Sequence, residues 1–266
     1  YLCHSFYIFL SSVLGANKIM TDTNTPLALV TGAAKRIGAA IATELHDEGY
    51  NIAIHFHMSR HEAHDLAAVL NDKRAASAFT VEQDLSHESA AKNLIDKLLQ
   101  QSQRLDLLVN NASIFKSSSG INSGNVSELW DQMQTINLRT PYLLAIQAAS
   151  LLRKSNGSII NITDINAERP RKDYTAYCAS KAGLVSISRS LAIDLAPEIR
   201  VNCVAPGAIL WASSEDSKTQ KEAINSTPLQ RIGKPSDIAQ AVRYLAGAQY
   251  VTGHILNVDG GRILRG

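Results

Sequence analysis

The chain has 266 residues, 45% hydrophobic and 19% charged, which is enough length and apolar content to bury a large core in one domain. Its formal charge is only +2, no block of five like charges occurs, and the sparse aromatics are not interleaved with basic residues, so no nucleic acid partner is expected. Cys3, Cys178 and Cys203 lack metal or redox spacing and are odd in number, which predicts free thiols, a reducing compartment and no bound metal.

Residues 1–19 carry a short apolar run, Phe6 to Leu10 and on to about Leu14, too short to span a bilayer. Only His4 precedes it, whereas a secretory signal wants a positive segment there. We read 1–19 as a leader without assigned function, a misplaced start, and expect a cytoplasmic protein with no membrane partner. Met20 and the polar stretch Thr21 to Thr25 then open a single domain over 20–266.

From Pro26 onward, short apolar runs alternate with longer amphipathic ones. Strands are predicted at Leu27 to Thr31, Asn51 to Phe56, Ala78 to Val81, Leu105 to Val109, Ser158 to Ile162, Val201 to Val204 and Ile255 to Val258. Helices are predicted at Arg36 to Glu48, Ser59 to Leu70, Glu88 to Gln101 and around Ser127 to Leu138. The alternation implies an α/β fold, a doubly wound, Rossmann-like domain whose mostly parallel seven-stranded sheet carries helices on both faces. Ligands of such sheets bind outside the carboxyl ends of the strands. Lys116 to Asn125 and Ala208 to Ser217 follow strand ends without clear periodicity, and each is either a substrate loop or a plain surface loop.

The turn Thr31-Gly32-Ala33-Ala34-Lys35-Arg36-Ile37-Gly38 leaves the first strand and opens a helix, which aims backbone N–H groups and a positive helix end at a phosphate. After the second strand comes His55-Phe56-His57-Met58-Ser59-Arg60, with no carboxylate before Glu62. An acidic residue there would bond the ribose of NAD, so its absence, with Lys35, Arg36, Ser59 and Arg60 nearby, predicts NADPH. His55 has no assigned role. Asp84, in Gln83-Asp84-Leu85, either accepts from the adenine amino group or caps the following helix. Asn110-Asn111-Ala112-Ser113 puts small and amide side chains where the chain must pass a flat cofactor, although Asn111 could simply lock the turn. Asn137, polar in an apolar stretch, is either part of a water relay to Lys181 or a satisfied core amide.

Tyr177 and Lys181 lie four apart, hence on one helix face, and an ammonium there could lower the phenol's pKa while holding a ribose. Such a phenol is a general acid. Asp164, thirteen residues before Tyr177 at the end of the fifth strand, adds a carboxyl able to protonate a nitrogen, which points to a ring C=N substrate. Tyr174 has Cys178 rather than a lysine at i+4 and is expected at most in the pocket wall.

Taken together, the glycine turn, Asn-Asn-Ala, Tyr-x-x-x-Lys, Ala205-Pro206-Gly207 and the closing Asp259-Gly260-Gly261 resemble the short-chain dehydrogenase/reductase family over Pro26 to Gly266. Within it, Arg36 in place of a glycine, Asp164 in place of a serine, and the His55 to Ser59 segment are most similar to pteridine reductases and the related dihydromonapterin and dihydrofolate reductases. That resemblance implies an NADPH-dependent reductase of a pterin or folate, with Asp164, Tyr177 and Lys181 as the catalytic residues. It implies a cofactor bound by Gly32, Arg36, Ile37, His57, Ser59, Asp84, Leu85, Asn111, Ala112, Ser113, Lys181, Pro206 and Gly207. Arg36, Ser113, Phe115, Asp164 and Tyr177 would meet the substrate, Phe115 by stacking on the pterin. It also implies a homotetramer in which Arg262 or Arg265 reaches a neighbour's site. One departure is Met58, where the pteridine-reductase pattern carries an arginine. The competing readings are a carbonyl reductase, for instance of 3-oxoacyl thioesters, and a non-catalytic dinucleotide-binding sensor.

Overall fold

The structure is a computed structural model that describes residues 24–118, 125–211 and 217–265. The leader read at 1–19, and parts of both unpatterned loops, lie outside the described residues. Seven strands form one sheet in the order β3-β2-β1-β4-β5-β6-β7. They are β1 (Leu27–Val30), β2 (Asn51–Phe56), β3 (Ala78–Glu82), β4 (Leu107–Asn110), β5 (Ser158–Ile162), β6 (Arg200–Pro206) and β7 (Ile255–Val258). Every neighbouring pair is parallel, so the sheet is wholly rather than mostly parallel.

Successive residues of each strand feed opposite faces. Ala28, Val30, Ile52, Ile54, Leu107 and Val109 pack with α1 (Arg36–Asp47), α2 (Arg60–Lys73) and the late helix Pro235–Gly247. Leu27, Leu29, Ala53 and Leu108 pack on the other face, with α3 (Ala90–Leu99), α5 (Thr140–Lys154) and α6 (Thr175–Asp194). Burial on both faces explains why these strands read as continuous apolar runs without alternation.

The helix predicted at Ser127 to Leu138 is observed in two parts. These are α4 (Val126–Gln134) and a π-helical turn, Thr135–Arg139, that leads directly into α5. Pro141 has no N–H to offer the carbonyl of Asn137, so the ordinary ladder cannot close across this point. Helix α5 escaped the periodicity reading because, besides the buried face of Leu144, Ala145, Ala148, Ala149, Leu151 and Leu152, apolar Tyr142 and Ile146 stand on its exposed side. Two further helices, α7 (Ser217–Asn225) and α8 (Pro235–Gly247), were likewise not anticipated. Helix α8 starts with Pro235 and with the Asp237 carboxylate accepting from the Lys234 N–H at 2.7 Å.

At the carboxyl edge, α1 packs against the β1 turn with no spare room. A Cβ at Gly38 would lie 2.2 Å from the Gly32 carbonyl oxygen and 2.7 Å from the Asn111 amide nitrogen. Gly38→Ala is therefore expected to push α1 off the turn, at a cost of about 1–3 kcal/mol, with a lower melting temperature and weakened dinucleotide binding in the same variant.

Candidate active site

The carboxyl ends of β1, β4, β5 and β6 open onto a cavity of about 1140 Å³. That is room for a dinucleotide and a small substrate together, since single-ligand pockets run to roughly 1,000 Å³. Its wall includes Gly32, Arg36, Ile37, Asn111, Ala112, Ser113, Phe115, Asp164, Tyr177, Lys181, Pro206 and Gly207. The sequence reading assigned all of these to cofactor or substrate. His57 and Ser59 after β2, and Asp84 and Leu85 after β3, are not in this wall.

The turn between β1 and α1 is fixed by side chains from two other strands. The Asn111 amide donates to the carbonyls of Thr31 at 2.9 Å and Gly32 at 3.1 Å, while the Thr31 hydroxyl accepts from the N–H groups of Asn111 and Ala112. Asn111 thus locks the turn as well as facing the cavity. Gly32 has φ +62 and Arg36 φ +57. The left-handed conformation costs a non-glycine residue about 1 kcal/mol or more, so Arg36 is held there by its surroundings.

His55, unassigned from sequence, is the residue that ties β1, β2 and β3 together at this edge. Its Nδ1 accepts the Gly32 N–H at 3.0 Å and its Nε2 lies 2.9 Å from the Gln83 carbonyl, which fixes the neutral tautomer with the proton on Nε2. Burial pulls its pKa down to about 4. Nothing in the local sequence distinguishes it from His57, which is exposed and lies 3.7 Å from Asp84. Asp84 accepts the Ser86 N–H at 2.9 Å, and so shapes a tight turn two residues on rather than capping α3. Met58 is 87% exposed. Lys35 pairs with Glu62 at 3.0 Å and Arg60 pairs with Glu82, so two of the three basic residues considered for a phosphate have carboxylate partners.

Asn137 is a satisfied core amide. Its oxygen accepts from the Ile114 N–H at 2.9 Å and the Ser113 hydroxyl at 3.0 Å, and its nitrogen donates to the Ile114 carbonyl and the Ser180 hydroxyl. The π-helical turn presents it to the strand-end segment and so fixes the backbone leading to Phe115. Phe115 stacks on Tyr174 with centroids 4.4 Å apart and meets Tyr177 edge-on at 4.8 Å. Tyr174 supports Phe115 and is not itself in the cavity wall.

The Tyr177 hydroxyl donates to the Asp164 carboxylate at 2.7 Å, and the other Asp164 oxygen accepts the Asn166 N–H at 2.8 Å. Lys181 is buried and donates to the Ile162 carbonyl at 2.9 Å. Its ammonium lies 5.8 Å from the Tyr177 ring centroid. Burial, then the charge and hydrogen bond of Asp164, raise the Tyr177 phenol well above its usual range. The expectation that Lys181 lowers it is thereby corrected, because burial comes first and the phenol's partner is a carboxylate. Burial also raises the Asp164 carboxyl, against the Asn166 and Tyr177 bonds and the charges of Lys181 and Arg262. Lys181 is brought down to about 8 by burial, opposed by Asp164 and Cys203. An ammonium with three donors that gives one to the Ile162 carbonyl, on a cavity wall, suits a neutral diol such as a ribose.

Arg262 lines its own chain's cavity and its Nε donates to the Ser226 hydroxyl at 3.1 Å, while Arg265 donates to the Asn225 carbonyl at 3.2 Å. Cys178 and Cys203 are buried free thiols. No helix among the described residues is long and apolar enough to cross a membrane.

The His55 brace makes a two-part prediction. His55→Ala strands the Gly32 N–H and the Gln83 carbonyl, costing about 2 kcal/mol, and should weaken nicotinamide dinucleotide binding in a fluorescence titration. In the wild type, unfolded histidine takes up a proton near pH 6.5 but folded His55 only near 4. The unfolded state therefore binds more protons between these values, and melting temperature should fall as pH drops from about 6.5 towards 4, with a shallower slope in His55→Ala.

Residues 32–262 match a family model described as enoyl-(acyl carrier protein) reductase. Pteridine reductase 1 of Leishmania tarentolae is 34% identical, covering 91% of this chain and 97% of that protein. A 3-oxoacyl-[acyl-carrier-protein] reductase of Staphylococcus epidermidis is 34% identical over 88% and 97% of the two chains, and glucose 1-dehydrogenase 2 of Bacillus subtilis is 32% identical over 91% and 96%. These relatives differ in substrate and are alike in identity, and the match runs from the glycine turn through Tyr177 and Lys181 to Arg262. The chain therefore belongs to the short-chain dehydrogenase/reductase family and is an NAD(P)-dependent reductase.

Proposed function

We infer that the substrate is a pterin, dihydropterin or dihydrofolate, reduced at a ring C=N bond with NADPH. The observation that carries this reading is the 2.7 Å hydrogen bond from Tyr177 to Asp164 on the cavity wall. A carbonyl reductase needs one proton donor for an oxygen. A second, carboxylic acid behind the phenol suits a nitrogen, whose protonation accompanies hydride addition to the neighbouring carbon. The bound nicotinamide supplies the hydride. Tyr177 remains protonated at neutral pH and can hand on a proton, while Asp164 restores it, and the two titrate as a pair. Lys181 holds the nicotinamide ribose, and its charge favours the proton-depleted state of the pair after transfer. Phe115 offers a ring for stacking against a flat heterocycle.

Support for NADPH is the lack of a carboxylate at His57-Met58-Ser59. The Lys35–Glu62 and Arg60–Glu82 pairs are exposed and screened by solvent, so a phosphate can compete for either cation. A homotetramer is the assembly that the resemblance implies. The second reading, a 3-oxoacyl thioester reductase, draws on the apolar wall formed by Ile209, Leu210 and Trp211 and leaves Asp164 incidental.

Tyr177→Phe should lower kcat at least about a hundredfold with NADPH affinity retained. Pterin reduction should rise toward acidic pH as the raised Asp164 carboxyl gains its proton, and Asp164→Asn should flatten that limb and remove most activity on dihydrobiopterin. Full activity of Asp164→Asn on dihydrobiopterin, or turnover of acetoacetyl thioester alone in a parallel assay, would refute the C=N assignment. Separately, Phe115→Ala should raise KM for the pterin about fivefold, from a stacking loss near 1 kcal/mol, and leave KM for NADPH within twofold.

A further inference from the structure

The cavity has two chemically different ends. Lys35 and Arg36 stand at the β1 turn, where a dinucleotide phosphate would lie. Away from that turn, the loop between β5 and α6 and the chain's end supply Arg169, Arg171, Lys172 and Arg262 to the same wall, faced among the described lining residues by Asp164 and Glu222. Among those lining residues four cations thus oppose two carboxyl groups, one of which is Asp164, the acceptor of the Tyr177 hydroxyl. Strand β4 separates β1 from β5, so two interstrand spacings, roughly 10 Å, divide the ends.

These cations are held in position. The Arg171 guanidinium lies 4.6 Å from the Tyr174 centroid and 5.6 Å from that of Phe115, beside the stacking ring. Arg169 donates to the Arg262 carbonyl at 2.8 Å, and the Arg262 side chain is bonded to Ser226 of α7. The two therefore link the β5–α6 loop to α7 across the mouth. Lys172 is exposed at the rim.

We propose that this basic arc is a subsite for an anionic tail, a carboxylate or phosphate carried by the substrate beyond its reacting group. The proposal rests on the reductase site just described and deepens it. A ring stacked on Phe115 with its reacting edge toward Tyr177 must direct its substituent away from the cofactor. The loop of Arg169 to Lys172 forms one wall on that side, with Arg171 beside the Phe115 ring. A charged substituent is attracted there and a neutral one is not, and the attraction weakens as salt screens it. For pterins, a tail ending in carboxylates is favoured over a neutral polyol.

The test compares two pairs of substrates on wild type and on Arg171→Gln/Lys172→Gln. Dihydrofolate carries a carboxylate-bearing aminobenzoyl-glutamate where dihydrobiopterin has a neutral dihydroxypropyl group, and acetoacetyl-coenzyme A carries a phosphorylated nucleotide that its truncated N-acetylcysteamine thioester lacks, so the double variant and added salt isolate the part of each difference due to charge. The expected wild-type ratio of kcat/KM, anionic to neutral, is at least about tenfold in whichever pair is turned over, and it should drop about tenfold in the double variant and with added salt. Dissociation constants from tryptophan fluorescence, measured with oxidised cofactor bound, give the same ratios where turnover is absent. If pterins are reduced with a ratio near one that the variant leaves unmoved, the tail subsite is overturned and the pterin reading stands. If pterins are inert but the coenzyme A pair shows the ratio and its loss, the subsite stands for phosphate and the pterin reading falls. Equal affinities within both pairs overturn the subsite outright.

Discussion

Parallel pairing of all seven strands puts every carboxyl end on the same edge. Parallel strands need long crossovers, so each strand end passes into a loop and then a helix that must return across one face. Residues far apart in the chain, Gly32, Asn111, Asp164 and Pro206, therefore line one cavity without any of them being near another in sequence. The two apolar layers on the sheet hold that edge rigid and leave the loops above it to differ in chemistry.

Rigidity at the edge comes from buried polar groups whose partners lie on other strands. His55 takes the Gly32 N–H, Asn111 takes the carbonyls of Thr31 and Gly32, and Asn137 clamps Ile114 from both sides. An unmet buried donor or acceptor costs about 1–3 kcal/mol, so each of these side chains permits few alternative backbone paths. The cofactor turn is thus shaped by β2 and β4 as much as by its own glycines. Arg36 with φ +57 is a product of that constraint, since the surrounding bonds impose a conformation its side chain disfavours.

Chemistry at the site follows from burial. Tyr177, Asp164 and Lys181 are withdrawn from water together, and burial is the leading influence on all three. It keeps the phenol protonated, raises the carboxyl and eases the ammonium down to about 8. The phenol, its carboxyl partner and the nearby cation are thus held together on the cavity wall. The basic arc beyond Phe115 is a separate electrostatic feature, set by a loop and the chain end rather than by the strands.

The sequence by itself determined the α/β alternation, the strand positions within a few residues, the cavity-facing turn and the Tyr177, Lys181 and Asp164 constellation. Those signals are local: apolar run length, a glycine turn after a strand, and an i+4 spacing. Twelve of the residues it assigned to ligands do line the cavity. What only the tertiary structure decided concerns partners distant in sequence. His55 could not be told from His57, because the difference is whether a Gly32 N–H and a Gln83 carbonyl flank the ring. Asn137 became a core amide because Ile114 and Ser180 reach it, and the direction of the Tyr177 shift was set by burial and then by Asp164 rather than by the lysine one turn away. Helix α5 was hidden because Tyr142 and Ile146 put apolar side chains on its exposed side, which blurs the 3.6-residue pattern, and only packing against the sheet shows which face is the buried one.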